Sequence, residues 1–224
     1  FLHWIPARPA ERALDVELQA AATVGGKRVV HRRVPAWVPW LVLAAMFFTY
    51  VNIGGYWTYI ELATIDAGID NAYVGRLLVW TSLFRLLGCT VATVISNRFG
   101  LARPLLLALL SMVAMVGMLA FGINDVNILV SMFSFNLLWI FVDVYQMSTV
   151  ANVDHSGAFA SLMPGAQGLG QIVGPNLAAS QLGAGLGYSS VFLMCASAAA
   201  IGLLIYGAMY LWLRRTIPAL AEAS

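Results

Sequence analysis

Arg85 and Asp143 fall deep inside long apolar stretches of the sequence. A charge at the centre of a membrane helix costs at least about 2.5 kcal/mol, so such a residue faces protein or a water-filled path and marks the route of a solute or ion. A guanidinium there can hold an anionic group, and a carboxylate can carry a proton. Arg85 stands roughly 11 residues, and Asp143 about 6 to 8, from the same end of their stretches, a depth gap of roughly 5–8 Å at about 1.5 Å per residue. A long arginine side chain bridges that gap, so an Arg85–Asp143 pair is expected. It has two readings, a purely structural ion pair or a substrate and coupling site.

Polar side chains recur around these two at helical spacing. Asn52, Tyr56 and Tyr59 follow i, i+4, i+7. Thr81, Arg85, Gly88 and Ala92 share one face, as do Asn136, Trp139, Asp143 and Gln146. Gln167, Gln171, Gly174, Ala178 and Gln181 make a fourth stripe. Such stripes suit the holding of a small solute: hydrogen bonds from Asn52, Tyr56, Asn136, Gln146, Gln167 and Gln171, with Trp139 as an apolar wall. The alternative is interhelical hydrogen bonding alone, worth roughly 0.6 kcal/mol per pair on average.

The elements that carry these stripes are long. Of 224 residues, 61% are hydrophobic and only 10% charged, and mean hydropathy is +0.83. A soluble domain carries roughly 25% charge. Six apolar runs, near 36–62, 71–96, 101–122, 126–149, 156–182 and 188–213, are long enough to cross a hydrocarbon core of about 30 Å. Backbone groups cannot go unpaired in lipid, so these runs must be helices, and the alternation of a membrane barrel is absent. The expected fold is an all-α membrane protein.

Arg8, Arg12, Lys27, Arg28, Arg32 and Arg33 precede the first run, Arg98 and Arg103 lie between the second and third, and Arg214 and Arg215 close the sixth. If the helices alternate, all of these lie on one side. The opposite loops carry Asp66, Asp70 and Asp125 and no Lys or Arg. Basic loops stay cytoplasmic, so both ends of the chain are expected there. The short basic clusters are explained by this rule and call for no nucleic-acid partner; the surrounding partner is the lipid bilayer.

The third and sixth runs have almost no polar stripe, whereas the other four do. Polar, polar, plain then repeats, a weak internal repeat of three helices plus three, echoed by Arg85 three before Gly88 and Gln167 three before Gly170. Inverted three-helix repeats place a substrate site at mid-membrane in transporters. The fifth run, "SLMPGAQGLGQIVGPNLAASQ", clusters Gly165, Gly168, Gly170 and Gly174 with Pro164 and Pro175. Small residues permit close backbone contact and prolines invite a bend, so Pro164, Gly170, Gly174 and Pro175 are expected to let this helix bend or slide.

Enzymatic chemistry finds little support. An intramembrane protease needs a nucleophile and a base within reach inside the membrane. His3, His31 and His155 all fall outside the runs or at their margin, and Cys89 and Cys195 lie in apolar helices without metal-ligand spacing. No enzyme, cofactor or metal site is expected.

The stretch "TVISNRFGLARPLL" resembles the cytoplasmic turn between the second and third helices of a repeat in the major facilitator superfamily. That turn reads roughly Gly-x-x-x-Asp-Arg/Lys-x-Gly-Arg-Arg/Lys; Arg98, Gly100 and Arg103 stand at matching positions, Asn97 replaces the aspartate, Thr93 the first glycine, and Leu101 the first arginine after Gly100. The resemblance implies six helices as two inverted repeats over 34–215, corresponding to helices seven to twelve of a twelve-helix fold. Residues 1–33 would be the end of a preceding helix and the linker between halves, and 216–224 a cytoplasmic tail. It implies a secondary transporter of a small organic solute, in the plasma (cell inner) membrane, with an N-terminal six-helix half as partner and a proton as the candidate coupling ion. A non-transporting membrane sensor or assembly protein on the same scaffold is the alternative.

Overall fold

The computed structural model describes residues 35–99, 102–154 and 157–216, apart from the side chains of 85, 93–99, 152, 214 and 216. The expected linker over 1–33, all but the first residue of the 216–224 tail, and Gly100 of the turn lie outside the described residues. Six helices follow in order: α1 (Trp37–Asp66), α2 (Asn71–Phe99), α3 (Ala102–Phe121), α4 (Asp125–Val153), α5 (Ala158–Gly183) and α6 (Tyr188–Thr216). They begin and end within a few residues of the apolar runs, and there is no strand among the described residues.

Five helices, all but α5, are long and apolar enough to cross a membrane. This differs from the expected six. The 26 residues of α5 supply the length, but Gln167, Gln171, Asn176, Gln181 and its glycines dilute the hydropathy. The helix nevertheless lies along α1. A Cβ at Gly170 would meet the Phe47 carbonyl and the Tyr50 Cβ, and one at Gly54 would sit 2.9 Å from the Gln171 Cα. Gly174 meets the Val51 carbonyl at still closer range. These contacts climb both helices together, so α5 runs parallel to α1 with backbones touching, which only glycine permits.

The helix ends show why the chain reverses where it does. Asn124 accepts from the Asn127 backbone N–H at 2.9 Å and opens α4, with Asp125 in the first turn where the helix dipole favours an acid. Gly68 and Gly185, at φ 72° and 80°, close α1 and α5. In each case the next residue, Ile69 or Leu186, donates back five residues to Thr64 or Gln181. This is a C-terminal turn that needs a left-handed residue. Asp154, buried at the end of α4, accepts from Gly157 at 2.9 Å and from Ala160 at 2.8 Å, so one carboxylate caps the start of α5.

Most of the main partners in space are not neighbours in sequence. The helix α1 packs against α5 and α6, and α4 packs against α2 and α3. A further contact joins α3 to α6, and α1 meets α4 at the centre. Exposed leucines and aromatics such as Leu107, Leu110, Phe121, Leu204 and Leu211 coat α3 and α6. That is the surface lipid requires. Hydroxyls within the helices are quieted locally: Thr90, Ser111, Ser148 and Ser197 each donate to the carbonyl four residues earlier.

Candidate functional site

The polar stripe of α4 meets α1 and α5 at Asp143. The Tyr50 hydroxyl of α1 donates to Asp143 Oδ1 at 2.6 Å, and the Gln167 amide of α5 donates to the same oxygen at 3.0 Å. Trp139, one turn before Asp143 on α4, lies close to the Tyr50 hydroxyl. Tyr50 is buried, while Trp139, Asp143 and Gln167 are partly exposed. Three helices therefore converge on a carboxylate that remains reachable from outside the packed core. Asp143 stands ten residues before the end of α4 at Val153, about 15 Å along the axis, so it lies well inside the span.

The packing of α2 on α4 sets the backbones of Arg85 and Asp143, the expected pair, at different levels. The Arg85 side chain lies outside the described residues, but its backbone position is fixed by the helix. Phe84 packs edge-on against Phe133 at 4.6 Å between ring centroids. A Cβ on Gly88 would sit 2.6 Å from the Leu137 carbonyl. Tyr145, whose side chain points back toward its helix N-terminus, donates to the Ala92 carbonyl at 3.2 Å. These contacts share one register, which sets Arg85 level with Ser134. Nine residues then separate it from Asp143, about 13 Å along the axis. Depth counted from helix ends underestimated this, because the two helices do not end at the same level.

The remaining expected residues divide into several groups. Gln146 is buried and donates to Thr49 Oγ1 at 2.9 Å, tying α4 to α1. Its own carbonyl oxygen, and both amide atoms of fully buried Asn52, have no hydrogen-bond partner among the described residues. Asn136 is buried and donates to the Met132 carbonyl of its own helix at 2.9 Å. Tyr56 is fully buried, its ring stacked on Phe135 at 3.8 Å and its hydroxyl hydrogen-bonded to Ser131 at 2.7 Å. It serves the α1–α4 interface rather than an open cavity. Gln171, one turn beyond Gln167 on α5, is exposed, and its Cα and carbonyl lie against Gly54 of α1.

The α5 residues expected to bend the helix do not break it. The helix runs through Pro164 and Pro175 without interruption. Pro175 leaves the Gln171 carbonyl without its helical donor, and that carbonyl lies against Gly54. The Pro175 carbonyl in turn accepts from the Tyr59 hydroxyl at 3.3 Å. Gly170 and Gly174 are the backbone contacts with α1, whereas Gly165 and Gly168 face open space. In the turn motif, Arg103 is exposed near the start of α3. The side chains of Asn97 and Arg98, and the whole of Gly100, lie outside the described residues.

Tyr50 and Thr49 are the site residues that sequence spacing misses. The α1 stripe counted from Asn52 runs through Tyr56 and Tyr59, and Tyr50 falls off it. A second stripe, Phe47, Tyr50, Val51 and Gly54 at spacings of three and four, marks the face turned to α5. Comparison of the chain with known families, curated proteins and solved structures finds no match in any of the three.

Proposed function

We propose that this chain forms the C-terminal six-helix part of a major-facilitator-type secondary transporter, which moves a small organic solute by alternating access. The observation that carries the reading is the convergence of α1, α4 and α5 on Asp143 through Tyr50 and Gln167. A carboxylate inside a membrane helix, partly exposed and held by neutral donors from two other helices, is a costly arrangement that fits a solute or ion path. Its hydrogen bonds link the three helices that would have to part or slide in a change of access.

The packing pattern supports the repeat. Exchanging α1–α2–α3 for α4–α5–α6 carries the α1 contacts with α5 and α6 onto the α4 contacts with α2 and α3. The glycine contacts follow the same exchange, Gly170 and Gly174 against α1 answering Gly88 against α4. On this reading α5 is a sixth span, its polar outer face turned to the missing N-terminal half, and Asp143 is the candidate proton carrier. The plasma membrane, cytoplasmic ends and absence of catalysis belong to the same proposal.

The test is reconstitution of the intact protein in sealed liposomes. Counterflow of labelled organic cations, anions and neutral solutes would be measured with and without an imposed pH gradient. Saturable counterflow that Asp143→Asn slows at least tenfold is the expected result. If no class of solute moves, the scaffold serves a non-transporting sensor or assembly role.

A further inference from the structure

We infer that Asp143 is the anchor for an organic cation, with Trp139 as the aromatic wall beside it; this rests on the transporter reading and names its substrate class. The argument starts from charge. Both described donors to Asp143, Tyr50 and Gln167, are neutral, and both act on Oδ1. Neutral donors solvate an anion but leave its charge uncompensated, and in a site with little water that charge attracts a positive group strongly. The register of α2 on α4 sets the Arg85 backbone about 13 Å away along the axis, and its side chain lies outside the described residues. No hydrogen bond or ion pair to Oδ2 is seen among the described residues.

The surroundings decide what kind of cation fits. A small metal ion needs a shell of several oxygens, commonly six for the hard divalent cations. Around Asp143 the structure instead sets aromatic rings. Trp139 is one turn away on the same helix and close to the Tyr50 hydroxyl. Trp57 meets Trp139 edge-on at 6.2 Å between ring centroids, extending the wall. Trp139 and Trp57 are both partly exposed, so the wall is reachable. A carboxylate with a partly exposed indole ring one turn away suits an ammonium on an apolar body, whose charge the carboxylate holds while the rings take up its apolar part.

The experiment uses benzyltrimethylammonium as the probe, with equilibrium binding of the labelled compound to the intact protein in detergent. Its uncharged isostere neopentylbenzene and the anion benzenesulfonate serve as competitors. The expected result is saturable binding that neither competitor displaces. Asp143→Asn should weaken it at least tenfold. Trp139→Leu should weaken it about threefold to thirtyfold, and Trp139→Phe should recover part of that loss. If Asp143→Asn fails to fold, Asp143→Glu, which keeps the charge, must retain binding while Trp139→Leu loses it.

Unchanged affinity in Asp143→Asn, displacement by benzenesulfonate, or no saturable binding overturns the inference. The two readings fail separately. Counterflow of an anion or neutral solute without cation binding would sink the substrate class and leave transport standing. Cation binding through Asp143 without counterflow of any solute would leave the site and sink transport.

Discussion

The Tyr50 hydroxyl lies 2.6 Å from Asp143 Oδ1 and donates to it, joining α1 to α4 at a point where α5 also reaches in. Removing that donor tests whether the contact matters to the resting structure or to movement. A hydrogen bond to a charged group contributes about 1.5–3 kcal/mol in soluble proteins, but membrane hydrogen bonds average about 0.6 kcal/mol. Tyr50→Phe is therefore predicted to lower stability by about 1 kcal/mol, read by thermal unfolding in detergent. Counterflow should fall by a larger factor than this loss accounts for. If stability and flux are both unchanged, the Tyr50 contact is incidental.

Arg85 and Asp143 are predicted to act independently. The register from Phe84–Phe133, Gly88–Leu137 and Tyr145–Ala92 separates their backbones by about 13 Å along the axis. In a double-mutant cycle of Arg85→Gln and Asp143→Asn, the changes in unfolding free energy should add to within about 0.5 kcal/mol. A double variant more stable than either single change would mean that the two charges compensate each other, and the register argument would be wrong.

The glycines of α5 offer a comparison inside one helix. A Cβ on Gly170 would lie 2.6 Å from the Phe47 carbonyl and 2.7 Å from the Tyr50 Cβ, both parts of α1 that cannot swing aside. Gly168, two residues earlier, faces nothing within 4 Å. Gly170→Ala should destabilise by about 1–3 kcal/mol through overpacking. Gly168→Ala should be neutral or gain up to about 1 kcal/mol from helix propensity. Thermal unfolding of the two single variants decides it. Equal effects would mean that α5 does not press on α1 as the structure shows.

Helix positions were legible in the sequence because lipid imposes one rule, long apolar runs closed by polar turns. Asp143, Gln146 and Gln167 were legible as well, since their cost inside an apolar run stands out. Partners were harder to read. Periodicity reports which residues share a face, but not which helix that face meets. The Thr81–Gly88–Ala92 face therefore read as polar lining, whereas Thr81 and Ala92 are buried, and Gly88 and Ala92 meet α4. Tyr50 was lost for a related reason. A tyrosine among Phe47, Phe48 and Thr49 looks like part of an apolar wall, and only the approach of α4 turns its hydroxyl into a donor. The α5 helix shows the limit of hydropathy itself. Its polar side chains lower the average, yet glycine contacts with α1 fix it along a membrane-length helix.

Asn52 separates stability from function most sharply. It is fully buried, and neither amide atom has a hydrogen-bond partner among the described residues. A buried polar group left unsatisfied costs about 1–3 kcal/mol, and replacement by an apolar group of the same shape is neutral or stabilising. Leucine has the same branching of heavy atoms as asparagine. Asn52→Leu is therefore predicted to keep or raise stability, by up to about 1 kcal/mol after allowance for the bulkier methyl groups. If the amide engages the solute or a neighbouring helix in another access state, the same variant should slow counterflow several-fold while melting no earlier than the parent. A clear loss of stability would show instead that the amide has a partner in the resting protein, and Asn52 would join Gln146 as part of the α1–α4 interface.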